Sequence, residues 1–207
     1  MMDATPHGRP IVVSGPSGSG KTTLVRRLFE RAPVPLKDSV SATTRSPRPG
    51  ERDGVDYYFL SPAEFLRRRQ AGEFLECFEV YGRGYWYGTL RQEVAPSLAA
   101  GKWVVLEIDV QGALAVMREY PDAVSIFILP PPAEGVAELE KRLAELEKRL
   151  RARGTEDEAA LRRRLGESLR ELSFADRYRY RIVNDDAERA AQEIRDILTA
   201  EERFHAR

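Results

Sequence analysis

The fold is decided near the start of the chain, by the stretch PIVVSGPSGSGKTTL at residues 10–24. Its apolar run, Ile11 to Val13, is β-branched and continuous, which is typical of a buried strand in a parallel sheet. The glycine-rich segment that follows fits the pattern G-x-x-x-x-G-K-S/T over residues 15–22. Apolar residues with helical spacing come next, from Thr22 to Phe29. A strand, a glycine-rich turn and a helix in this order are the context in which the pattern cradles phosphate groups.

The chemistry of this loop suits the phosphates of a nucleoside triphosphate. Its glycines let backbone N–H groups curl around phosphate oxygens, and the helix N-terminus adds a favourable dipole. We expect Lys21 to reach the β- and γ-phosphates and the Thr22 hydroxyl to help hold Mg²⁺. A glycine-rich turn without a ligand is the alternative, which the matching context on both sides disfavours. The predicted nucleotide-binding residues are Gly15, Pro16, Ser17, Gly18, Ser19, Gly20, Lys21, Thr22 and Thr23.

The rest of the chain alternates between buried strands and helical segments. Further strands are indicated at Trp103 to Ile108, Ser125 to Leu129 and Arg181 to Val183. This alternation predicts an α/β fold, in which a P-loop core has a mostly parallel five-stranded sheet flanked by helices. Residues 41–94, rich in Arg, Tyr, Phe and Gly, and the highly charged residues 133–170 interrupt it. We predict a single domain over residues 1–207, with a core (1–40, 95–132 and 171–207), a small mixed α/β lobe (41–94) and a helical lid (133–170).

Composition excludes several classes of protein. The 207 residues carry 33 Lys plus Arg and 33 Asp plus Glu, so there is no overall basic charge to attract nucleic acid. The single cysteine, Cys77, excludes an intramolecular disulfide and a thiolate zinc cluster. The two histidines, His7 and His205, lie near opposite ends of the chain, which argues against a Ser-His-Asp hydrolase. No apolar run approaches the roughly 20 residues of a membrane span. We expect a soluble, cytoplasmic protein without nucleic-acid or membrane partners, either monomeric or homo-oligomeric.

Several motifs, in order along the chain, resemble the signature of the guanylate kinase family. They are VSATTRSPRPGE at 40–51, GVDYYF at 54–59, EFLE at 73–76, YGT at 87–89, LEIDVQG at 106–112 and IVNDD at 182–186. The resemblance covers nearly the whole chain. It implies transfer of the γ-phosphate of ATP to GMP in the presence of Mg²⁺, with ADP and GDP as products. It also implies that dGMP is accepted and that residues 15–23 bind ATP.

The resemblance assigns guanine recognition to Glu76. Guanine presents N1–H and an exocyclic amine side by side, and one carboxylate can accept both. Adenine lacks these donors and would leave the carboxylate unpaired, so such a site discriminates by roughly 10⁴ or more. The resemblance places Ser41 at the guanine carbonyl oxygen and Thr89, with the adjoining Gly88, beside the base.

Phosphate binding by the acceptor nucleotide is assigned to arginines and tyrosines. Arginine suits the task because its planar fork donates two hydrogen bonds to phosphate and stays charged. The tyrosines add neutral donors. The residues that match the family's phosphate clamp are Arg45, Arg48, Tyr57 and Tyr87.

Two carboxylates and an asparagine follow the ends of predicted strands. Glu107 and Asp109 are two residues apart, so both carboxylates face the same side of the strand end. The resemblance puts one near the Mg²⁺ water shell and one near the acceptor nucleotide; we assign Glu107 to the metal and Asp109 to GMP. Asn184 matches a family residue that contacts the adenine of ATP. A turn-forming role at the end of a strand remains an equal alternative for this asparagine.

The charged segment contains the heptad AELEKRL twice, at residues 137–143 and 144–150. Leu139, Leu143, Leu146 and Leu150 fall on a/d-like spacing, which predicts one continuous amphipathic helix. In the resemblance, Arg149, Arg153 and Arg164 match lid arginines that would stabilise the charge of the transferring phosphoryl group after closure. The alternative is a solvated helix with i,i+4 ion pairs such as that of Glu145 with Arg149. The duplication leaves Arg142 and Arg149 as candidates for one role, and Arg149 keeps the family's distance to Arg153. The predicted catalytic residues are Lys21, Arg45, Arg149, Arg153 and Arg164.

Two other functions compete with this interpretation. A related kinase could act on another monophosphate or on a ribose bisphosphate, but Glu76 and Ser41 both address guanine. A non-catalytic module that binds phosphorylated peptides would typically lack an intact phosphate loop, whereas Lys21 and its neighbours are complete here. Cys77 is expected to be an unreactive buried thiol. Trp86 and Trp103 are expected to be packing residues.

Overall fold

The computed structural model of the chain describes residues 8–79, 84–131, 138–152 and 158–205. Its strands are β1 (Pro10–Ser14), β2 (Leu36–Asp38), β3 (Ala42–Thr43), β4 (Tyr58–Phe59), β5 (Phe74–Glu79), β6 (Trp86–Leu90), β7 (Trp103–Glu107), β8 (Val124–Leu129) and β9 (Tyr180–Val183). Its helices are α1 (Lys21–Glu30), α2 (Pro62–Gln70), α3 (Arg91–Ala99), α4 (Val110–Glu119), α5 (Glu138–Ala152), α6 (Glu158–Leu172) and α7 (Ala187–His205), with a short 3-10 helix at Ala175–Arg177. None of the helices in these ranges is long and apolar enough to cross a membrane.

The larger sheet has five strands in the order β2-β7-β1-β8-β9, and its β2–β7 and β8–β9 pairs are parallel. All five residues of β1 are buried, as are the first four of β7 and the first five of β8. Strands enclosed on both faces need continuous apolar runs, which is why the sequence indicated them. The mostly parallel α/β sheet flanked by helices is therefore confirmed. The short strand β2 has no continuous apolar run, because its residues are half-buried or exposed, and the sequence did not indicate it.

The smaller sheet lies within residues 41–94 and has the order β4-β3-β6-β5. Strand β3 is parallel to β4 and antiparallel to β6, which is in turn antiparallel to β5. A cluster of buried side chains supports the sheet, with the rings of Phe65 on α2 and Phe74 on β5 stacked 4.4 Å apart. The β5–β6 register sets Glu76 opposite Thr89.

The three remaining predictions outside the site concern tryptophan and cysteine. Trp103 is buried, with the Arg9 guanidinium 5.4 Å from its ring centroid, and Trp86 packs on the Phe65–Phe74 cluster beneath Arg69. Both packing roles are confirmed. Cys77 is half-buried rather than buried, and loss of hydration raises the pKa of its thiol, which disfavours the reactive thiolate.

The chain divides into two compact units. The first, called the lobe unit below, comprises Met1–Val12 and Pro35–Ala123. The second, called the loop unit, comprises Val13–Val34 and Val124–Arg207. These borders differ from the three-part division into core, lobe and lid, which stays a prediction.

Within the loop unit, the predicted amphipathic helix of the duplicated heptad is confirmed as α5, which begins at Glu138. Leu146 and Leu150 are fully buried, and Leu143 is half-buried. The side chain of Leu139, like Ala137, lies outside the described residues. Helix α5 packs on α6, and α1 packs on α7.

Candidate active site

The phosphate loop of the loop unit connects β1 to α1. Gly20 is the N-cap of α1 with φ of +92°, a left-handed conformation that favours glycine. A side chain there would also overlap the amide of Asn184. No side chain caps the helix at this residue, and Thr22 and Thr23 in its first turn are exposed. The N-terminus of a helix suits an anion because of its backbone N–H groups and dipole.

The side chain of Lys21 contacts the backbone of the phosphate loop, in which it was predicted to bind phosphate. Its ammonium Nζ donates to the backbone oxygen of Gly15 at 2.7 Å and to that of Pro16 at 3.3 Å. Both acceptors are neutral carbonyls of the phosphate loop itself. A bound phosphate would offer the same ammonium a charged acceptor, and charge-assisted hydrogen bonds are about twice as strong as neutral ones.

Asn184 braces this loop. Its side-chain Nδ2 donates to the backbone oxygen of Ser19 at 2.7 Å, and its backbone N–H donates to Leu129 at 2.8 Å. The residue is 7% exposed. Its amide nitrogen is therefore engaged with the phosphate loop, 165 residues away in sequence, rather than with a local turn. Its contact with adenine stays a prediction.

Two of the predicted lid arginines reach the same region of the loop unit. Arg149 donates through Nε to Glu145 at 2.8 Å and through a terminal nitrogen to the backbone oxygen of Asn184 at 3.2 Å. Arg164 donates to the Ser17 hydroxyl of the phosphate loop at 3.3 Å. Arg153 lies outside the described residues.

The duplicated heptad has two further contacts at this place. Arg142, the competing candidate for the role of Arg149, donates to the backbone oxygen of Pro130. A Cβ atom on Gly18 would lie 3.6–3.7 Å from side-chain carbons of Leu146 and Leu150. Helix α5 thus packs its leucines against the phosphate loop, and its second heptad supplies them.

In the lobe unit, Arg45 is held by a carboxylate that had not been predicted as a site residue. Its two terminal nitrogens each donate to one oxygen of Glu51 at 2.9 Å, and its Nε donates to the Tyr87 hydroxyl at 3.2 Å. The guanidinium also lies 5.4 Å from the ring centroid of Tyr57. Arg45, Tyr57 and Tyr87, three of the four predicted phosphate-clamp residues, are thereby brought together.

Glu51 organises this cluster further, because its Oε2 also accepts the backbone N–H of Arg48 at 2.7 Å. The hydrogen bonds from Arg45 lower the pKa of Glu51, and the same pair raises the pKa of Arg45. Burial is the main cause of the raised pKa of Tyr57, with the nearby Tyr87 adding to it. Both charged groups stay ionised at neutral pH, and Tyr57 stays a neutral donor.

Glu76 is a buried carboxylate, 9% exposed, whose Oε1 accepts the Thr89 hydroxyl at 2.7 Å. Burial raises its pKa to about 7; the Thr89 hydroxyl opposes this rise and the negative charge of Asp109 adds to it. A side chain on Gly88 would lie 2.7 Å from the Glu76 backbone oxygen, so glycine is needed where β5 and β6 pair. Ser41 is half-buried just before β3, where its carbonyl accepts the N–H of Tyr58 at 2.9 Å.

Glu107 and Asp109 take different positions at the end of β7. Glu107 is the last residue of the strand. Burial raises the pKa of Asp38 at the end of the neighbouring β2, and the charge of Glu107 adds to this rise. Asp109 is the N-cap of α4, and its Oδ1 accepts the N–H of Gly112 at 2.9 Å. Within the described ranges, no group of three or more His, Cys, Asp or Glu side chains could hold a metal ion alone. Single carboxylates such as Glu107 suit Mg²⁺, which usually keeps several waters and binds substrate phosphates.

Comparison with known proteins identifies the family of the chain. The guanylate kinase family model matches residues 7–201. The chain belongs to the guanylate kinase family. The guanylate kinase of Rhodopirellula baltica is 50% identical over 198 residues, covering 95% of this chain and 90% of that protein. The guanylate kinase of Symbiobacterium thermophilum is 48% identical over 200 residues, covering 97% of this chain and 89% of that protein.

A solved structure agrees. The crystal structure of guanylate kinase from Anaplasma phagocytophilum matches with a TM-score of 0.71 at 34% identity, covering 95% of this chain and 87% of that chain. The resemblance to the guanylate kinase family that the motifs indicated is therefore confirmed, together with the fold. The roles of individual residues stay predictions.

Sequence reasoning assigned no role to three residues that join the groups taken from the guanylate kinase family. They are Asp38, Glu51 and Gly112. Glu51 ends one of the motifs and follows Arg48 by three residues, a spacing that allows a turn contact. Gly112 likewise ends a motif and follows Asp109 by three residues, but its approach to Glu76 joins segments distant in sequence. Asp38 gave no signal. The i,i+4 ion pair of Glu145 with Arg149, in contrast, was expected from the sequence and is present.

Proposed function

We propose that the described side chains divide the work of the guanylate kinase reaction between the two units. The chain is an ATP:GMP phosphotransferase. A phosphate oxygen of GMP attacks the γ-phosphorus of ATP, the bond to the β,γ-bridging oxygen breaks, and ADP and GDP are released. Such a transfer has a loose transition state with charge spread over the moving group, so the protein acts by positioning and by charge stabilisation.

The buried carboxylate of Glu76 is the observation that carries the acceptor assignment. A carboxylate removed from water needs partners, and the Thr89 hydroxyl occupies only one of about four acceptor positions. Guanine N1–H and its amine would take two of the remaining positions, in one plane. Ser41 would donate to the guanine carbonyl oxygen, with Gly88 beside the base and Asp109 on the nucleotide.

The phosphate of GMP would bind the Arg45 cluster. Arg45 is already oriented by Glu51, and Tyr57 and Tyr87 add hydroxyl donors without charge. Arg48, whose backbone is fixed by Glu51, would supply a second positive charge. Arg45 and Arg48 carry two positive charges against the one negative charge of Glu51, which supports binding of an anionic phosphate.

ATP would bind the loop unit. The N–H groups of residues 15–23 would surround its phosphates, Lys21 would leave its carbonyl acceptors for the β- and γ-phosphates, and Asn184 would contact the adenine. Arg149, Arg153 and Arg164 would stabilise the charge of the transferring group. The Arg164–Ser17 hydrogen bond supports this role, since it brings α6 to the phosphate loop.

Three finer points complete the proposal. Mg²⁺ would be held by the Thr22 hydroxyl and, partly through water, by Glu107, and it would neutralise phosphate charge when bound. dGMP would be an acceptor, because it shares with GMP the base and phosphate that these residues address. The cytoplasm would be the location, since ATP and GMP are cytoplasmic metabolites.

The test is an ADP-release assay with ATP, Mg²⁺ and a panel of monophosphates. GMP should be used far more efficiently than AMP, CMP or UMP, and IMP, which lacks the amine, should fall between GMP and AMP. Comparable kcat/KM for GMP and AMP would contradict the assignment of Glu76.

A further inference from the structure

A close approach within the lobe unit joins helix α4 to the carboxylate of Glu76. Gly112 lies in the first turn of α4 and is buried. A Cβ atom on this residue would lie 2.7 Å from Glu76 Oε2 and 3.0 Å from Glu76 Cδ, and real Cβ atoms essentially never come closer than 3.0 Å. The missing side chain therefore provides the space in which the carboxylate lies.

Backbone conformation does not explain a glycine at this position. Gly112 lies inside a helix, outside the left-handed region, and glycine is a poorer helix former than alanine. The atoms that a Cβ would meet are side-chain atoms of Glu76 and, at 3.6 Å, Oδ1 of Asp109. An alanine would thus fit the backbone and would displace the carboxylate.

Gly112 also contacts the second carboxylate through its backbone. Its N–H donates to Asp109 Oδ1 at 2.9 Å, which caps α4. One residue therefore orients Asp109 by hydrogen bonding and admits Glu76 by the absence of a Cβ. The Thr89 hydroxyl holds Glu76 Oε1, and Oε2 lies in the space that a side chain on Gly112 would fill.

We propose that Gly112 is a positioning residue for guanine, which keeps the Glu76 carboxylate beside Asp109 in the orientation that accepts N1–H and the amine together. This inference rests on the proposed role of Glu76. Gly112 itself makes no bond to the base; it acts by fixing where the acceptor oxygens lie.

The first experiment compares Gly112→Ala with the wild type in steady-state kinetics with GMP and with IMP. The displaced carboxylate loses well-formed charge-assisted hydrogen bonds, so the KM for GMP should rise by about tenfold or more. The kcat and the KM for ATP should stay within about threefold of wild type. IMP uses one fewer of these bonds, so the preference for GMP over IMP should fall.

Gly166→Ala is the matched control. Gly166 is an exposed residue inside helix α6, and a Cβ atom there meets nothing within 4 Å. The same chemical change should leave the KM for GMP unaltered. Thermal melts of both variants separate a loss of fold from a loss of recognition.

A second experiment places Gly112→Ala in a Glu76→Asp background. Aspartate is one methylene shorter, so its carboxylate leaves room for the new Cβ atom. In this background Gly112→Ala should change the KM for GMP by less than about twofold, although Glu76→Asp alone raises it. Should Gly112→Ala fail to fold, folding of the double variant still supports the proposal, and failure of both overturns it.

Two outcomes separate this inference from the proposed function. If the wild type prefers GMP but Gly112→Ala has an unchanged KM, or an equal cost in both backgrounds, the role of Gly112 is overturned and the function stands. If the wild type shows no preference for GMP over AMP, the role of Glu76 and that of Gly112 are both overturned.

Discussion

The lobe unit and the loop unit hold the cations that we propose as their main phosphate ligands in different ways. In the lobe unit, Arg45 is paired with the Glu51 carboxylate through two hydrogen bonds of 2.9 Å. In the loop unit, Lys21 rests on two neutral backbone oxygens of the phosphate loop. A charged partner fixes an arginine in place before the ligand arrives, whereas a neutral partner is readily exchanged for phosphate. The acceptor side is thus pre-organised, and the donor side is free to respond to its ligand.

The sharpest test of this contrast is Lys21→Met. Loss of the ammonium should lower kcat by at least about a hundredfold, because it removes charge stabilisation of the transferring group. The melting temperature without nucleotide should stay nearly unchanged, because the two hydrogen bonds that the ammonium loses are to neutral carbonyls of the phosphate loop. Steady-state kinetics and a thermal melt measure the two effects.

Lys37→Met is the control for this variant. Lys37 is a partly exposed lysine of β2, 3.8 Å from Glu93, and has no assigned role in the reaction. Its kcat should match the wild type. A Lys21→Met enzyme that retained turnover within about tenfold would break the comparison on the donor side.

The next test concerns the register of helix α5 in the loop unit. Deleting residues 137–143 removes one heptad, nearly two turns, and changes the helical direction by only about 20°. We expect this deletion to keep kcat within about tenfold. Deleting residues 137–140 leaves the arginines about 40° off target and should lower kcat further. Kinetics of both deletions, with helicity from circular dichroism, decide the point; a more damaging heptad deletion would mean that the repeat has a function of its own.

On the acceptor side, Glu51→Gln should raise the KM for GMP by roughly tenfold, because it removes the charge that orients Arg45. The melting temperature should fall as well, since this ion pair is mostly buried, with exposures of 11% and 19%. Glu119→Gln is the matched control, because Arg91 and Glu119 form a similar but exposed pair. A lower KM in Glu51→Gln would show that Glu51 competes with phosphate and would reverse the acceptor half of the comparison.

The smallest expected effect is the pH dependence of GMP binding. Glu76 must be ionised to accept two donors, and its pKa is about 7. Between pH 8 and pH 6.5 the ionised fraction falls from most of the population to a minority, so the KM for GMP should rise about fourfold. Glu76→Gln, which cannot titrate there, gives the residual dependence due to the nucleotide phosphate. An equal dependence in both enzymes would contradict the raised pKa.

The same carboxylate predicts the sign of a stability change. Its pKa rises from an ordinary 4.5 to about 7 on folding, so the folded state holds a proton that the unfolded state has lost between these values. Stability therefore decreases as the pH rises from about 4.5 to 7 and levels off above. The melting temperature of the unliganded wild type should be compared with that of Glu76→Gln at each pH. The difference, wild type minus variant, should be larger at pH 5 than at pH 8.

The parts of the fold that the sequence predicted are those set by local patterns. The phosphate loop and α1 depend on consecutive residues, and β7 and β8 depend on continuous apolar runs. Helix α5 follows from the spacing of its leucines. Strand β2 escaped prediction, because three residues at a sheet edge carry little apolar signal.

The candidate site divides in the same way. Arg45, Glu76 and Thr89 lie within motifs and could be assigned by resemblance. The contribution of Glu51 depends on how the loop after β3 folds back on Arg45. The contribution of Gly112 depends on the approach of α4 to β5, elements that are far apart in sequence. Only the structure gives such distances.

The two identical heptads of α5 have a consequence for folding kinetics. Arg142 and Arg149 occupy equivalent heptad positions and donate to backbone oxygens that directly follow β8 and β9, those of Pro130 and Asn184. A helix docked one heptad out of register would bring an identical arginine and an equivalent pair of leucines to the same places. The identity of the two heptads therefore allows a second alignment of α5 to compete with the native one during folding.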